Sequence, residues 1–234
     1  MISESLTYLR NSEDWVRTVL IGGLLTLLSF LVIPAFAVVG YLLRVVRATM
    51  RGVDEAPEFD DWGDLLVDGV KGTVIAVIYG LVPAVVGVAL VAFGVIGASA
   101  GDSGVVSTLG GIVALVGALI ALVFGLLAAY VIPAALANYA EHDRLSAGFA
   151  VSDLRPVLAS GTYATGWLYA FLVVVAGGAV SGLLNAIPLV GFVVGAFVSF
   201  YAAVAAYYII GRTWAKLHPV EMREGELTDE RPAV

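Results

Sequence analysis

Charge is missing from this chain over stretches too long for a soluble core. No charged residue lies between Lys71 and Asp102, between Asp102 and Glu141, or between Arg155 and Arg212. A helix needs roughly 20 apolar residues to cross a hydrocarbon core about 30 Å thick. The third run therefore has room for two crossings and the turn between them. Composition agrees, with 60% of the 234 residues hydrophobic and 13% charged, where soluble domains carry about a quarter charged. The sequence predicts an all-α, polytopic bundle of transmembrane helices in one domain over residues 1–217, with an acidic, disordered tail over 218–234.

Four spans are expected at roughly 70–98, 105–140, 161–185 and 189–214. Asp102 marks one turn. Asn185 and Pro188 mark another, because proline restricts the residue before it and ends helices. The stretch from Thr18 to Leu43 has two readings. It forms either one long tilted span, giving five helices, or a tight hairpin breaking near Pro34, giving six. The hairpin is favoured because Ile33-Pro34 followed by Val38-Val39-Gly40 echoes Ile187-Pro188 followed by Val193-Val194-Gly195. It also places all twelve basic residues on one face, as the positive-inside rule asks. Its weakness is arm length, about 15 residues or 22 Å against a core of about 30 Å. Both readings put the loops around 44–71 and 141–160, and the C-terminus, in the cytoplasm at the cell membrane. A loose internal repeat, Val32-Ile33-Pro34 against Val131-Ile132-Pro133, accompanies the pattern.

The polar start MISESLTYLRNSEDW has no basic region followed by a short apolar core, so no cleaved leader is expected. Cysteine is absent, which removes disulfides and thiolate chemistry. The net charge of -7 gives no footprint for nucleic acid. Lysine occurs only at Lys71 and Lys216, and acidic residues dominate the segments between spans, a balance like that of haloarchaeal proteins.

The two loops are expected to carry short interfacial amphipathic helices. In the first, Pro57 suits a helix start. Phe59, Trp62, Leu65 and Leu66 recur at helical spacing opposite Asp60, Asp61, Asp64 and Asp68, with Trp62 at headgroup level. The second, around Phe149, Leu154, Val157 and Leu158, repeats this more weakly. GYLLRVVRATMRG at 40–52 and PEFDDWGDLLVDGVKG at 57–72 resemble the uncharacterised membrane-protein family catalogued as domain of unknown function 4013. The resemblance covers roughly the first 90 residues and implies a prokaryotic, largely archaeal multispan protein. It carries over no activity, cofactor or catalytic residue.

Candidate sites are few. Arg44, Arg47 and Arg51, with Phe59 and Trp62, are read as lipid or partner contacts, since arginines at a helix end can bind phosphate or carboxylate. The plainer reading is snorkelling. Asp60, Asp61, Asp64 and Asp68 are weak candidates for Mg²⁺ or Ca²⁺ without calcium-loop spacing, against a solvated helix face paired with Arg47 and Arg51. Glu141, His142 and Asp143 lack the further ligands that zinc requires. Gly101-Asp102-Ser103-Gly104 and Ala179-Val180-Ser181-Gly182 resemble protease serine motifs without a histidine to serve as base. Gly178, Gly182, Gly191 and Gly195, and Gly110 with Gly117, place small residues where helices pack closely, within the chain or in a homo-oligomer. No cofactor is called for and no enzyme is expected. The leading expectation is a scaffold, accessory subunit or lipid-interacting component with membrane lipid and a protein on its cytoplasmic face as partners. The alternative is a small transporter or channel for an uncharged or amphipathic solute, using backbone breaks at Pro34, Pro83, Pro133 and Pro188.

Overall fold

The computed structural model describes residues 1–100, 104–187 and 189–218. The turns at Asp102 and Pro188, the glycine-serine motif at 101–104 and the acidic tail fall wholly or mostly outside those residues. The described chain is a bundle of α-helices: α1 (Ile2–Thr7), α2 (Trp15–Leu27), α3 (Ile33–Met50), α4 (Trp62–Ala100), α5 (Gly104–His142), α6 (Val151–Leu158), α7 (Gly161–Leu184) and α8 (Val190–Leu217). Of these, α3, α4, α5, α7 and α8 are long and apolar enough to cross a membrane, and α2 is a shorter apolar helix. Short 3-10 turns at Tyr8–Asn11, Ser29–Leu31 and Leu145–Phe149 join neighbouring helices.

The first apolar run is a hairpin, as the proline echo indicated, with arms of 13 and 18 residues. Its turn bonds much of its own backbone. The Leu28, Leu31 and Val32 amides donate to the carbonyls of Leu24, Leu28 and Ser29, and the Ser29 hydroxyl donates to Leu25. Pro34 follows in the first turn of α3, where a missing N–H costs nothing. Pro83 and Pro133 behave differently from the breaks expected there, since both sit inside continuous helices.

One correction concerns the first loop. Residues 51–61 form no helix, and α4 starts only at Trp62. The amphipathic stretch read as a separate interfacial helix is the beginning of the long α4. Neighbouring side chains take carbonyls that a helix from Pro57 would have used: the Tyr41 hydroxyl donates to Pro57, and Arg44 to Asp60. The second loop does hold a short amphipathic helix, α6, which buries Leu154 and Val157 and exposes Asp153 and Arg155.

Glycines decide how closely the long helices approach. A Cβ on Gly87 would strike Ala121, and one on Gly94 would strike Ala114, so α4 and α5 lie backbone against backbone. Gly177 does the same against Ala202 between α7 and α8, Gly191 meets Leu184, and Gly195 sits in ordinary contact with Ser181. Gly178 and Gly182 point away and meet no atom within 4 Å. They take no part in packing within the chain, because Gly177, one position earlier, faces α8 instead.

Buried side chains gather at one end. Tyr41, Leu43, Leu65, Ile75, Tyr139, Tyr163, Phe200, Ile209 and Trp214 are all nearly inaccessible. Between residues 76 and 131, by contrast, the buried positions among those described are Gly87, Gly94, Gly110 and Gly117. The α4–α5 pair thus presents almost wholly apolar side chains outward, Val88 and Phe93 among them. The molecule has a well-packed end, rich in arginine and tyrosine, from which bare apolar hairpins extend.

Candidate functional site: a charged cleft at the arginine end

Three arginines leave the last turns of α3, and each has a different fate. The helix ends at Gly52, whose positive φ of 78° allows Val53 N–H to reach Ala48 and Gly52 N–H to reach Thr49, a glycine-terminated cap. Arg44 turns toward the 51–61 loop. It pairs with Asp60 and donates to the carbonyls of Asp60 at 3.0 Å and Asp61 at 3.1 Å. The loop is fastened elsewhere by Tyr8 on Glu55, Asn11 on Asp54 and the Arg212–Asp54 ion pair. Burial raises the Tyr8 phenol above its ordinary range, so it remains a neutral donor.

Arg47 lies at the junction of three elements. It pairs through two nitrogens with Asp68 on α4. It also donates to the Ala140 carbonyl of α5 at 3.2 Å and reaches Asp143 at 3.2 Å. Its guanidinium lies 5.6 Å from the centre of the Tyr139 ring, and the Tyr139 hydroxyl donates to Asp68 at 2.7 Å. Asp143 can end α5 because it tolerates a left-handed φ of 51°. Arg51 is exposed and makes no ion pair among the described residues. Lys71 is also outside the ion pairs, with its ammonium 5.9 Å from the Tyr139 ring centre.

These groups surround an open cleft of about 470 Å³, lined chiefly by Arg44, Arg47, Arg51, Asp64, Asp68 and Lys71. A smaller recess continues past Arg51 to Glu141, Trp214 and His218. The Trp214 indole donates to Glu141 at 2.7 Å, and His218 stacks on Trp214. Two further grooves are apolar, such as the one between α4 and α5 lined by Gly80, Pro83, Gly87, Ala121 and Gly125, and another is lined by Thr162, Thr165, Thr213 and Lys216.

The residues singled out in the sequence do not all meet here. Arg44, Arg47, Arg51, Asp64 and Asp68 do. Asp60 faces Arg44, and Asp61 is exposed. Of the expected pairs of the aspartates with Arg47 and Arg51, Arg47 does pair with Asp68, while Asp60 pairs with Arg44 and Arg51 has no ion pair among the described residues. Among the described residues no three acidic or histidine side chains converge as ligands for a metal ion. Phe59 is not an outward-facing contact. It is 7% exposed and stacks on Tyr41, with ring centres 4.2 Å apart. Trp62 remains half exposed beside it. Glu141, Tyr139 and Trp214 were missed as partners, since each joins segments far apart in sequence. Ser181 donates to Gly195 and approaches Ser199, with no histidine beside it.

Residues 27–186 match the family described as protein of unknown function (DUF4013). The chain belongs to this family. The match includes the hairpin turn, the arginine helix, the aspartates and the α4–α5 pair, well beyond the 90 residues that carried the resemblance. No curated protein and no solved structure matches the chain. The matched residues include helices apolar enough to span a membrane and most of the lining of the charged cleft, and the family description assigns no activity.

Proposed function

We propose that the chain is a non-catalytic component of the cell membrane, a scaffold or accessory subunit that makes its contacts through the arginine end, held in the cytoplasm. The observation that carries this reading is the cleft itself. Most charges around it are consumed by one another, while Arg51 and Lys71 are left outside ion pairs, with Asp64 the nearby anion without one. The lining is balanced in charge, Arg44, Arg47, Arg51 and Lys71 against Asp64, Asp68, Glu141 and Asp143, and its two cations outside ion pairs, Arg51 and Lys71, suit an anionic group, either a lipid phosphate or a carboxylate of a partner protein. The basic end faces the cytoplasm by the positive-inside rule, and the apolar hairpins act as the anchor.

The test is purification in mild detergent at native salt, with mass spectrometry of lipids and proteins that co-elute. It compares the native chain with an Arg51→Gln, Lys71→Gln double variant. Arg51 is exposed, Lys71 is half-buried and neither makes an ion pair among the described residues, so the variant is expected to keep its fold. A lipid or protein held at fixed stoichiometry by the native chain and lost from the variant supports the proposal. Equal retention by both, or none by either, overturns it.

A further inference from the structure

Length alone qualifies α3 as a span, yet the charges around it leave little of it free. From Thr18 to the end of α2, and from Ile33 to Leu43 in α3, each uncharged arm rises only about 15 Å, half of a hydrocarbon core. Arg44 closes the second arm, and it is fastened to Asp60 and to the carbonyls of Asp60 and Asp61. Drawing the hairpin through the whole bilayer would draw Arg44 in with it. The exposed Asp60, Asp61 and Asp64 would follow, and charges in hydrocarbon are costly.

The packing fixes the same limit. A Cβ on Gly69 would collide with the Phe36 carbonyl, and one on Gly40 with the Leu65 carbonyl. Backbone therefore meets backbone beside Asp68 and Lys71, at the charged start of α4. Gly22 and Gly23 seat the other arm against Phe200 and Phe197 of α8. Phe30 is six positions from Phe36, so the apex stays within about 15 Å of Gly69. From Gly69, α4 runs on for about 46 Å to Ala100.

The apex is also unlike a turn exposed to water. Phe30, Leu31, Val32 and Ile33 are 74%, 55%, 56% and 65% exposed, and none carries a polar side chain. The Leu31 and Val32 amides are bonded within the turn, and Pro34 has none to bond. Each polar group bonded within the turn lowers the cost of carrying irregular backbone into lipid. We propose that α2 and α3 form a re-entrant hairpin, which enters the leaflet on the arginine side, places Phe30 to Ile33 among acyl chains near mid-bilayer, and returns. The chain then crosses the membrane four times, through α4, α5, α7 and α8. This inference rests on the membrane reading above and adds a lipid-contacting wedge to it.

The native chain lacks cysteine, so single cysteines report position directly. Phe30→Cys and Leu31→Cys, both at exposed positions, are placed in sealed vesicles with Ser152→Cys and Gly104→Cys as side markers. A membrane-impermeant maleimide is then added to either side. The expected result is labelling of the two markers from opposite sides, and of the two apex positions from neither until detergent is added. Fluorescence of Phe30→Trp is then quenched most by lipids brominated deep in the acyl chain. Apex labelling from the Gly104 side means a full crossing and overturns the proposal. Labelling from the Ser152 side places the hairpin outside the bilayer, and protection that survives detergent means a protein covers it; either result also overturns it. Markers that label from one and the same side would instead refute the membrane reading itself.

Discussion

Arg47 shows how much of the architecture one side chain can hold. Its guanidinium ties α3 to α4 through Asp68 and to α5 through Ala140 and Asp143, with only 19% of the side chain exposed. Removing one partner of such a pair leaves the other charge poorly solvated, which costs about 3 kcal/mol. Arg47→Met should therefore lower thermal stability by that order, and Asp68→Leu alone should do nearly as much. Combined, they should lose clearly less than the sum, because neither stranded charge remains. Tyr139 would still lack its acceptor, so recovery stays incomplete. Melting of the three variants in one detergent checks this. Single variants within about 0.5 kcal/mol of the native chain would show that the network contributes no stability. The participating charges were visible in the sequence because charge is rare in an apolar chain. Their pairing was not, since Asp143 comes from a loop 96 positions away and periodicity says nothing about which helix ends meet.

Proline inside α5 supplies a junction between elements. Pro133 has no N–H to offer the carbonyl four residues earlier, and that carbonyl, on Ala129, accepts the Trp167 indole N–H of α7 at 2.8 Å. One residue on, the Tyr130 carbonyl accepts the Tyr163 hydroxyl at 2.7 Å. The proline thus frees the acceptor by which α7 docks. Trp167→Phe should cost about 1 kcal/mol in the native chain. In a Pro133→Ala background it should cost less, because the helix then satisfies Ala129 itself. A double-mutant cycle on melting temperature measures that coupling, and equal losses in both backgrounds would refute it. At this scale the sequence was informative about where apolar helices lie and about the turn near Pro34, both of which follow from charge and proline placement. It misled over residues 57–61, where helical spacing of Phe59, Trp62 and Leu65 was genuine but Tyr41 and Arg44 captured the carbonyls. Gly177 rather than Gly178 faces α8 for a similar reason, as spacing gives a period and leaves its phase to packing.

For the whole molecule, polarity and packing coincide at one end, and the membrane-facing lengths do not match one another. The charge-free part of α4 from Lys71 to Ser99 rises about 42 Å, against a hydrocarbon thickness of about 30 Å. Such a helix keeps its apolar surface in lipid only by leaning roughly 45°, or by stretching the bilayer around it. Reconstitution into lipids with longer acyl chains should let the α4–α5 pair stand more upright. Spin labels at Val95 and Val193, one on each hairpin and both exposed, would report the change as a shift in mutual distance. An unchanged distance across a series of chain lengths would mean the lean is fixed by packing. The close contacts of Gly87 with Ala121 and Gly94 with Ala114 make the pair one stiff rod, gripped among the described residues near its charged base. A rod anchored in that way would act as a lever, turning a change in bilayer thickness at its long free arm into a rotation at the short one, where Arg47 and Asp68 meet.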